Sequence, residues 1–405
     1  MRLGGPASRG LLLTSLALGA VAVALGAAAV SSDDATGRPA TLLPPLAPHP
    51  VAGQFRPDDT TLARCETQTC IEQAFGNIAF RRGPKAALAL FEQRIEANDA
   101  GCHRIAHTIG AASLARFHGN VARTFAQGTS ACWSGYYHGV LERSLLSVKS
   151  YSRASLAKVS RRLCADRSVR AVTWLAYQCL HGLGHGLMLT TGYDVRRSLD
   201  VCRRLSTHWD AEACKGGVFM ENISPMYGAT SRWLREDDPM YPCPAVAEAD
   251  RYECYKRSTT RMLVVIGFDW ERIAELCSTL RADWREACFI SFGRDTSAQN
   301  ERDAAQIVPL CELARPYGAE RTCIQGAAMD ITSNDADGAR ATLLCTSLEL
   351  RLRGVCYRAI GIIAGRFRRT DEEREADCRA LAATPRDYAW CMRGSRRSAQ
   401  LVDVV

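Results

Sequence analysis

The chain carries none of the short motifs that mark the commoner enzyme classes. It has no GxSxG nucleophile elbow, no HExxH helix, no CxxCH haem attachment, no P-loop, and no GxGxxG set between a strand and a helix. A nucleotide-dependent enzyme is therefore not expected. Nor is there a block of Lys and Arg: the formal net charge of +8 over 405 residues is carried mostly by scattered Arg, which reads as a solvated basic surface and not as a nucleic-acid footprint. With 47% hydrophobic and 23% charged residues, the composition excludes wholesale disorder, and the length allows one large core or two to three domains.

Two further absences divide the chain. Residues 11–30 contain no charge, follow Arg2 and Arg9, and end in Ala27-Ala28-Ala29, the layout of an export signal. At twenty residues the run exceeds the ~7–15 of a cleaved signal and reaches bilayer-spanning length. The expectation is a signal peptide or signal anchor over 1–30, with the chain exported, either membrane-anchored through residues 11–30 or secreted. Residues 31–60 are rich in Pro and Ala without period and read as a flexible linker. No cysteine lies before Cys65; all 18 lie in the exported part, which points to disulfides in an oxidising compartment.

The cysteines form a repeat. Cys70, Cys102, Cys132, Cys179, Cys214, Cys254, Cys288, Cys323, Cys356 and Cys391 recur at intervals of 30 to 47 residues, six of the nine between 32 and 35. A fixed period near ~34 residues means stacked supersecondary units. Seven other cysteines lie 11 to 15 residues ahead of members of that set: Cys164, Cys202, Cys243, Cys277, Cys311, Cys345 and Cys378. Each pair spans two helical phrases, such as ERIAELCSTL then ACFISFG, so each unit is expected to be a helical hairpin, helix A then helix B, stapled by its own disulfide. Cys65 and Cys70 belong to an abbreviated first hairpin, and the simplest pairing for Cys102 is with Cys132. A small residue three positions after the repeat cysteine (Gly135, Gly182, Gly217, Gly326, Ala359, Gly394) suits close helix packing.

The expected fold is an all-α solenoid of about ten disulfide-stapled hairpins, which resembles tetratricopeptide and Sel1-like repeats in architecture only. The tetratricopeptide consensus residues are absent, so the resemblance implies nothing about function. The divisions are N-terminal hairpins over 61–222, an inserted loop over 223–242, C-terminal stapled hairpins over 243–396 and a tail over 397–405.

Five of the eight histidines fall in three B helices in a row. The phrases Cys102-His-Arg-Ile-Ala-His107, His138-Gly-Val-Leu-Glu142 and His181-Gly-Leu-Gly-His185 each place two ligand-capable side chains one helical turn apart on one face. Stacked hairpins make these helices spatial neighbours. His103, His107, His138, Glu142, His181 and His185 are therefore the candidate metal ligands, a set suited to one or two ions of zinc, iron, manganese or copper. Measured from the repeat cysteine, however, the His103/His107 pair is rotated relative to His138 and His185, so the second hairpin must be seated differently. Glu221, in the fifth hairpin, is a candidate further ligand or base. Tyr136 and Tyr137 read as core aromatics, and Asp330 lies three units farther along and outside the cluster. The expected function is an exported metalloprotein with a mono- or dinuclear His/Glu site, a metal-dependent hydrolase or oxidoreductase. The alternative is a non-catalytic scaffold holding a peptide, glycan or protein partner on its concave face, with hairpins six to ten structural in either case.

Overall fold

A computed structural model describes residues 52–95, 101–224, 231–335 and 338–400, which hold twenty α-helices and no strand. The segments read as signal (1–30), as most of the linker, and as the end of the tail lie outside the described residues. Among the described residues no helix is long and apolar enough to cross a membrane.

Helix starts follow from local capping. Thr207, Asp269 and Asp303 each accept a backbone N–H of the following first turn, and Thr370 with Glu373 completes a capping box. All nine expected disulfides are present, with Cα–Cα separations from 5.2 to 5.8 Å. Seven join the two helices of one hairpin. Cys65–Cys70 closes a short loop ahead of the first, and Cys102–Cys132 links two successive B helices.

The B helices form the inner layer, one per hairpin: α1 (Gln68–Arg82), α2 (Cys102–Arg116), α3 (Ala131–Leu146), α4 (Thr173–Thr190) and α5 (His208–Ile223). In the sixth hairpin the layer is split into α6 (Glu248–Tyr255) and α7 (Ser258–Ile266); α8 (Ala282–Gln299), α9 (Glu320–Asp335), α10 (Leu350–Phe367) and α11 (Pro385–Gln400) complete it. Each packs on its predecessor in sequence order. Because α4 is covered on every side, it is buried almost all round from Thr173 to Met188, whereas an outer helix such as Trp270–Ser278 buries only Ile273, Ala274 and Cys277.

The inner helices meet backbone to backbone at glycines. A Cβ on Gly139 would lie 1.9 Å from the carbonyl oxygen of His107, and one on Gly217 would lie 1.9 Å from that of His181. The +3 glycine is thus a packing position, and Gly184, whose Cβ would lie 2.2 Å from the Cys214 oxygen, answers Gly217 from the opposite helix.

Two features differ from the expectation. Residues 52–60 are not a free linker: Phe55 is buried, its carbonyl accepts from Arg143 at 2.8 Å, and the Asp58 carboxylate accepts from Asn77 Nδ2 at 2.7 Å. The inner face is not an open concave wall, because α9 packs back on α3 and α10 on α4. Phe367 stacks on Trp174 with ring centroids 4.2 Å apart, and Ser130 Oγ donates to the Asn334 carbonyl at 3.4 Å. Both contacts join hairpins five apart in sequence, so the chain turns once in about five units and the late hairpins cover the early ones. Residues 231–242 form no α-helix, in keeping with the expected loop; Trp233 is buried there and receives Asn222 Nδ2 on its carbonyl at 3.2 Å.

Gly361 and Gly394 form such a glycine contact far from the histidines, the Cβ of the first falling 2.0 Å from the Cys391 carbonyl oxygen. Gly361→Ala is expected to destabilise the protein by up to about 2 kcal/mol, the ~1–3 kcal/mol cost of overpacking less the ~1 kcal/mol gained in helix propensity. The guanidinium denaturation midpoint measures this; an unchanged or raised midpoint would contradict the close-packing account.

Candidate metal centre

Consecutive hairpins bring α2, α3, α4 and α5 side by side, and the glycine contacts let their inward side chains meet. His103 and His107 come from α2, His138 and Glu142 from α3, His181 and His185 from α4, and Met220 and Glu221 from α5. The five imidazoles form a continuous cluster, with ring centroids at 4.5 Å for His103/His107, 5.2 Å for His103/His138, 4.3 Å for His138/His185 and 5.1 Å for His181/His185. None of the five is more than 5% exposed, and Glu142 and Glu221 are fully buried.

The rotated seating of the His103 pair has a local cause. Cys132, Trp133 and Ser134 take left-handed backbone angles (φ 48°, 53° and 61°) at the start of α3. For L-residues that conformation costs about 1–2 kcal/mol each. It turns the Cys132 carbonyl onto His103 Nδ1 at 2.6 Å, while the Cys102–Cys132 bridge holds the same two segments together.

These outer contacts assign the tautomers. His103 Nδ1 donates to the Cys132 carbonyl and His185 Nδ1 to Glu221 Oε2 at 2.9 Å, while His107 Nδ1 lies 2.9 Å from Glu142 Oε1 in a buried contact that favours the same tautomer. Glu221 Oε1 in turn accepts from the Tyr193 hydroxyl at 2.8 Å. A neutral imidazole that donates through Nδ1 presents a lone pair at Nε2. The Nε2 atoms of His103 and His107 then face each other at 2.9 Å, and those of His181 and His185 lie 3.4 Å apart. His138 Nδ1 lies 3.4 Å from His103 Nε2, and its own Nε2 is buried without a hydrogen-bond partner.

Converging lone pairs repel unless a proton or a cation lies between them. Protons are disfavoured here. Burial, reinforced at His103 by its neighbour His107, pushes the His103 and His107 imidazoles down to about 3; burial and the surrounding imidazoles hold His138 well below its ordinary value; His181 and His185 are lowered by burial as well. A transition ion fits instead: two bonds of about 2.1 Å at roughly 90–110° span nitrogens about 3.0–3.4 Å apart, close to the 2.9 and 3.4 Å observed. Three groups have donor atoms all within 4.8 Å of one another: His103/His107/His138, His138/His181/His185 and Glu142/His185/Glu221. His138, on the middle helix, belongs to two of them.

All six sequence-named residues therefore meet in one place. Sequence reasoning left Glu221 at the margin, although its one-position offset is absorbed by contact through His185. It missed Tyr193, Met220, whose sulfur is 3.4 Å from His181 Nε2, and Tyr177, which stacks on His181 at 5.3 Å. A cavity of about 130 Å³ adjoins the centre, reaching the His103 and His185 rings on one side and Arg257, Arg294, Asp295 and Asp330 on the other. Hairpins seven and eight thus help line the site, and Asp330 joins it through the winding of the chain. Tyr136 and Tyr137 are buried core aromatics, Tyr136 donating to the Thr124 carbonyl at 2.9 Å.

The lowered imidazoles carry a sign for stability. The unfolded chain takes protons on histidine below about 6.5, whereas the folded His103 and His107 do so only near 3, so the unfolded state binds more protons across that window and stability falls as pH falls. Metal-free protein should lose urea midpoint steadily between pH 6.5 and 4, and substituting His103 and His107 by Gln should flatten that slope; equal slopes would mean the imidazoles are solvated. No protein-family model, curated protein or solved structure matches the chain.

Proposed function

We propose that the protein is an extracytoplasmic metalloprotein whose five buried imidazoles hold one or two transition-metal ions beside a small, partly open chamber. The observation that carries this reading is the tautomer pattern: His103 and His185 are fixed from outside through Nδ1 and His107 Nδ1 sits 2.9 Å from Glu142, so their Nε2 lone pairs turn inward in a site where burial disfavours protons. The nine disulfides fit an oxidising, extracytoplasmic setting.

Within this reading His103, His107, His181 and His185 ligate through Nε2, and His138 serves both trios. Glu142 and Glu221 act on the metal through histidine, fixing ring orientation and raising ligand basicity in the carboxylate–histidine–metal arrangement. The chamber is where a small molecule meets the ion. Zinc there would activate water for hydrolysis, and iron, copper or manganese would add electron transfer. The scaffold alternative loses ground because the inner face that would have received an extended peptide or glycan is covered by α9 and α10.

Elemental analysis of protein purified without chelators is expected to find about one to two transition-metal ions per chain and to identify them. His138→Ala should remove most of the metal, His181→Ala only part, and Glu221→Gln should weaken affinity roughly 10–100-fold. Metal at background level, together with no change in melting temperature on adding zinc, manganese, iron or copper, would sink the metalloprotein reading.

A further inference from the structure

The chamber beside the centre contains a guanidinium with no counter-ion. Its other charges pair off: Arg294 with Asp295 at 2.8 Å, and Asp330 with Arg302 at 3.6 Å and the Ser297 hydroxyl at 2.9 Å. Among the described residues Arg257 makes no ion pair. Its Nη1 donates to the Lys256 carbonyl at 3.2 Å and its Nη2 to the Tyr177 hydroxyl at 3.3 Å, while its Nε is buried without a partner. Glu253, one turn earlier, is held by Lys256 at 3.0 Å. Arg257 also stands next to the metal centre, because a Cβ on Gly216 would lie 3.4 Å from both Arg257 Nη2 and His181 Nδ1 and 3.2 Å from Glu253 Oε2, a carboxylate that forms its ion pair with Lys256 and not with Arg257.

Charge balance then asks for an anion. Neutral imidazoles contribute no charge and Glu142 with Glu221 at most two negative charges, so one divalent ion leaves the centre neutral or positive and a second makes it more so. Arg257, half-buried with its Nε shielded from solvent, adds another positive charge at the same wall, and a partly desolvated charge without a partner is unfavourable. The chamber is small: about 130 Å³ compares with the ~150 Å³ cavity that admits one benzene-sized molecule. Trp133, Met220 and Ile223 line part of it, so its wall is apolar as well as cationic.

We propose that this chamber binds a short-chain organic carboxylate, its oxyanion between Arg257 and the metal ions and its carbon end against Trp133, Met220 and Ile223. The proposal rests on the reading of the centre as metal-binding. Phosphate shares the oxyanion chemistry but has no carbon end to bury.

Calorimetric titration of the metal-loaded full chain with butyrate and, separately, with inorganic phosphate, at constant chloride, tests it. Butyrate is expected to bind more tightly than phosphate, and Arg257→Gln to weaken butyrate roughly ten- to hundred-fold with metal content unchanged. Arg257→Lys keeps the charge and serves where the Gln variant does not fold; loss of the planar fork should still weaken butyrate a few-fold. Butyrate that does not bind wild type, or binds the Arg257 variants as tightly as wild type, overturns the proposal, as does phosphate binding more tightly than butyrate. Elemental analysis of the same samples separates the two readings: wild type without metal refutes the metal centre, whereas metal-loaded wild type that ignores butyrate refutes only the carboxylate site.

Discussion

Direct backbone contact between neighbouring inner helices is the constraint on which the rest of this structure depends. The imidazoles of α2 and α3 converge because nothing larger than a hydrogen separates those helices at Gly139, and Gly184 with Gly217 brings α5 and its Glu221 against α4 in the same way. Each such glycine costs a helix about 1 kcal/mol relative to alanine. A side chain at these positions would restore an interaxial distance of about 8–10 Å, and separations such as the 2.9 Å between His103 Nε2 and His107 of one helix and their 5.2–5.4 Å ring contacts to His138 of the next could not coexist.

That closeness also explains why the chain is so heavily crosslinked. A core containing five neutral imidazoles and two carboxylates is a poor source of hydrophobic stabilisation, since buried polar groups must be matched one by one. From the fourth hairpin onward each inner helix is tied to the segment of its outer layer by a disulfide closing a loop of 11 to 15 residues, worth about 3 kcal/mol at most on a chain-entropy estimate. The bridge that breaks the rule, Cys102–Cys132, runs between two inner helices at the place where the backbone turns left-handed to reach His103. Crosslinking and strain meet at the site itself, which holds one imidazole in an orientation that the regular repeat would not give it.

Winding supplies the second half of the site. With one turn in about five hairpins, α8 and α9 come opposite the histidine helices, and a surface that would otherwise face solvent becomes the wall of a chamber. Charge is then sorted by position. The early hairpins provide neutral donors with their carboxylates set behind them, and the later ones provide guanidinium groups, of which Arg257 meets His181 beside Gly216.

The sequence by itself determined the local and the periodic. Cysteine spacing gave the hairpins and their seven staples, because a bridge between adjacent antiparallel helices needs only that both cysteines face one another near the shared turn; spacing leaves open the Cys102–Cys132 bridge between two inner helices, which the structure decides. Four-residue spacing gave the pairs His103/His107, His138/Glu142 and His181/His185, because helical periodicity puts them on one face whatever surrounds the helix. Only the tertiary structure decided the rest. Glu142 and Glu221 turn toward histidine Nδ1 atoms through helix rotations that spacing does not encode; Tyr193 and Arg257 reach the site from other segments; and Asp330 arrives through a superhelical turn. Contacts of that kind join residues 28 to more than 200 positions apart, and they depend on the cumulative angle between successive hairpins, a property of the packed helices that no single stretch of the sequence contains.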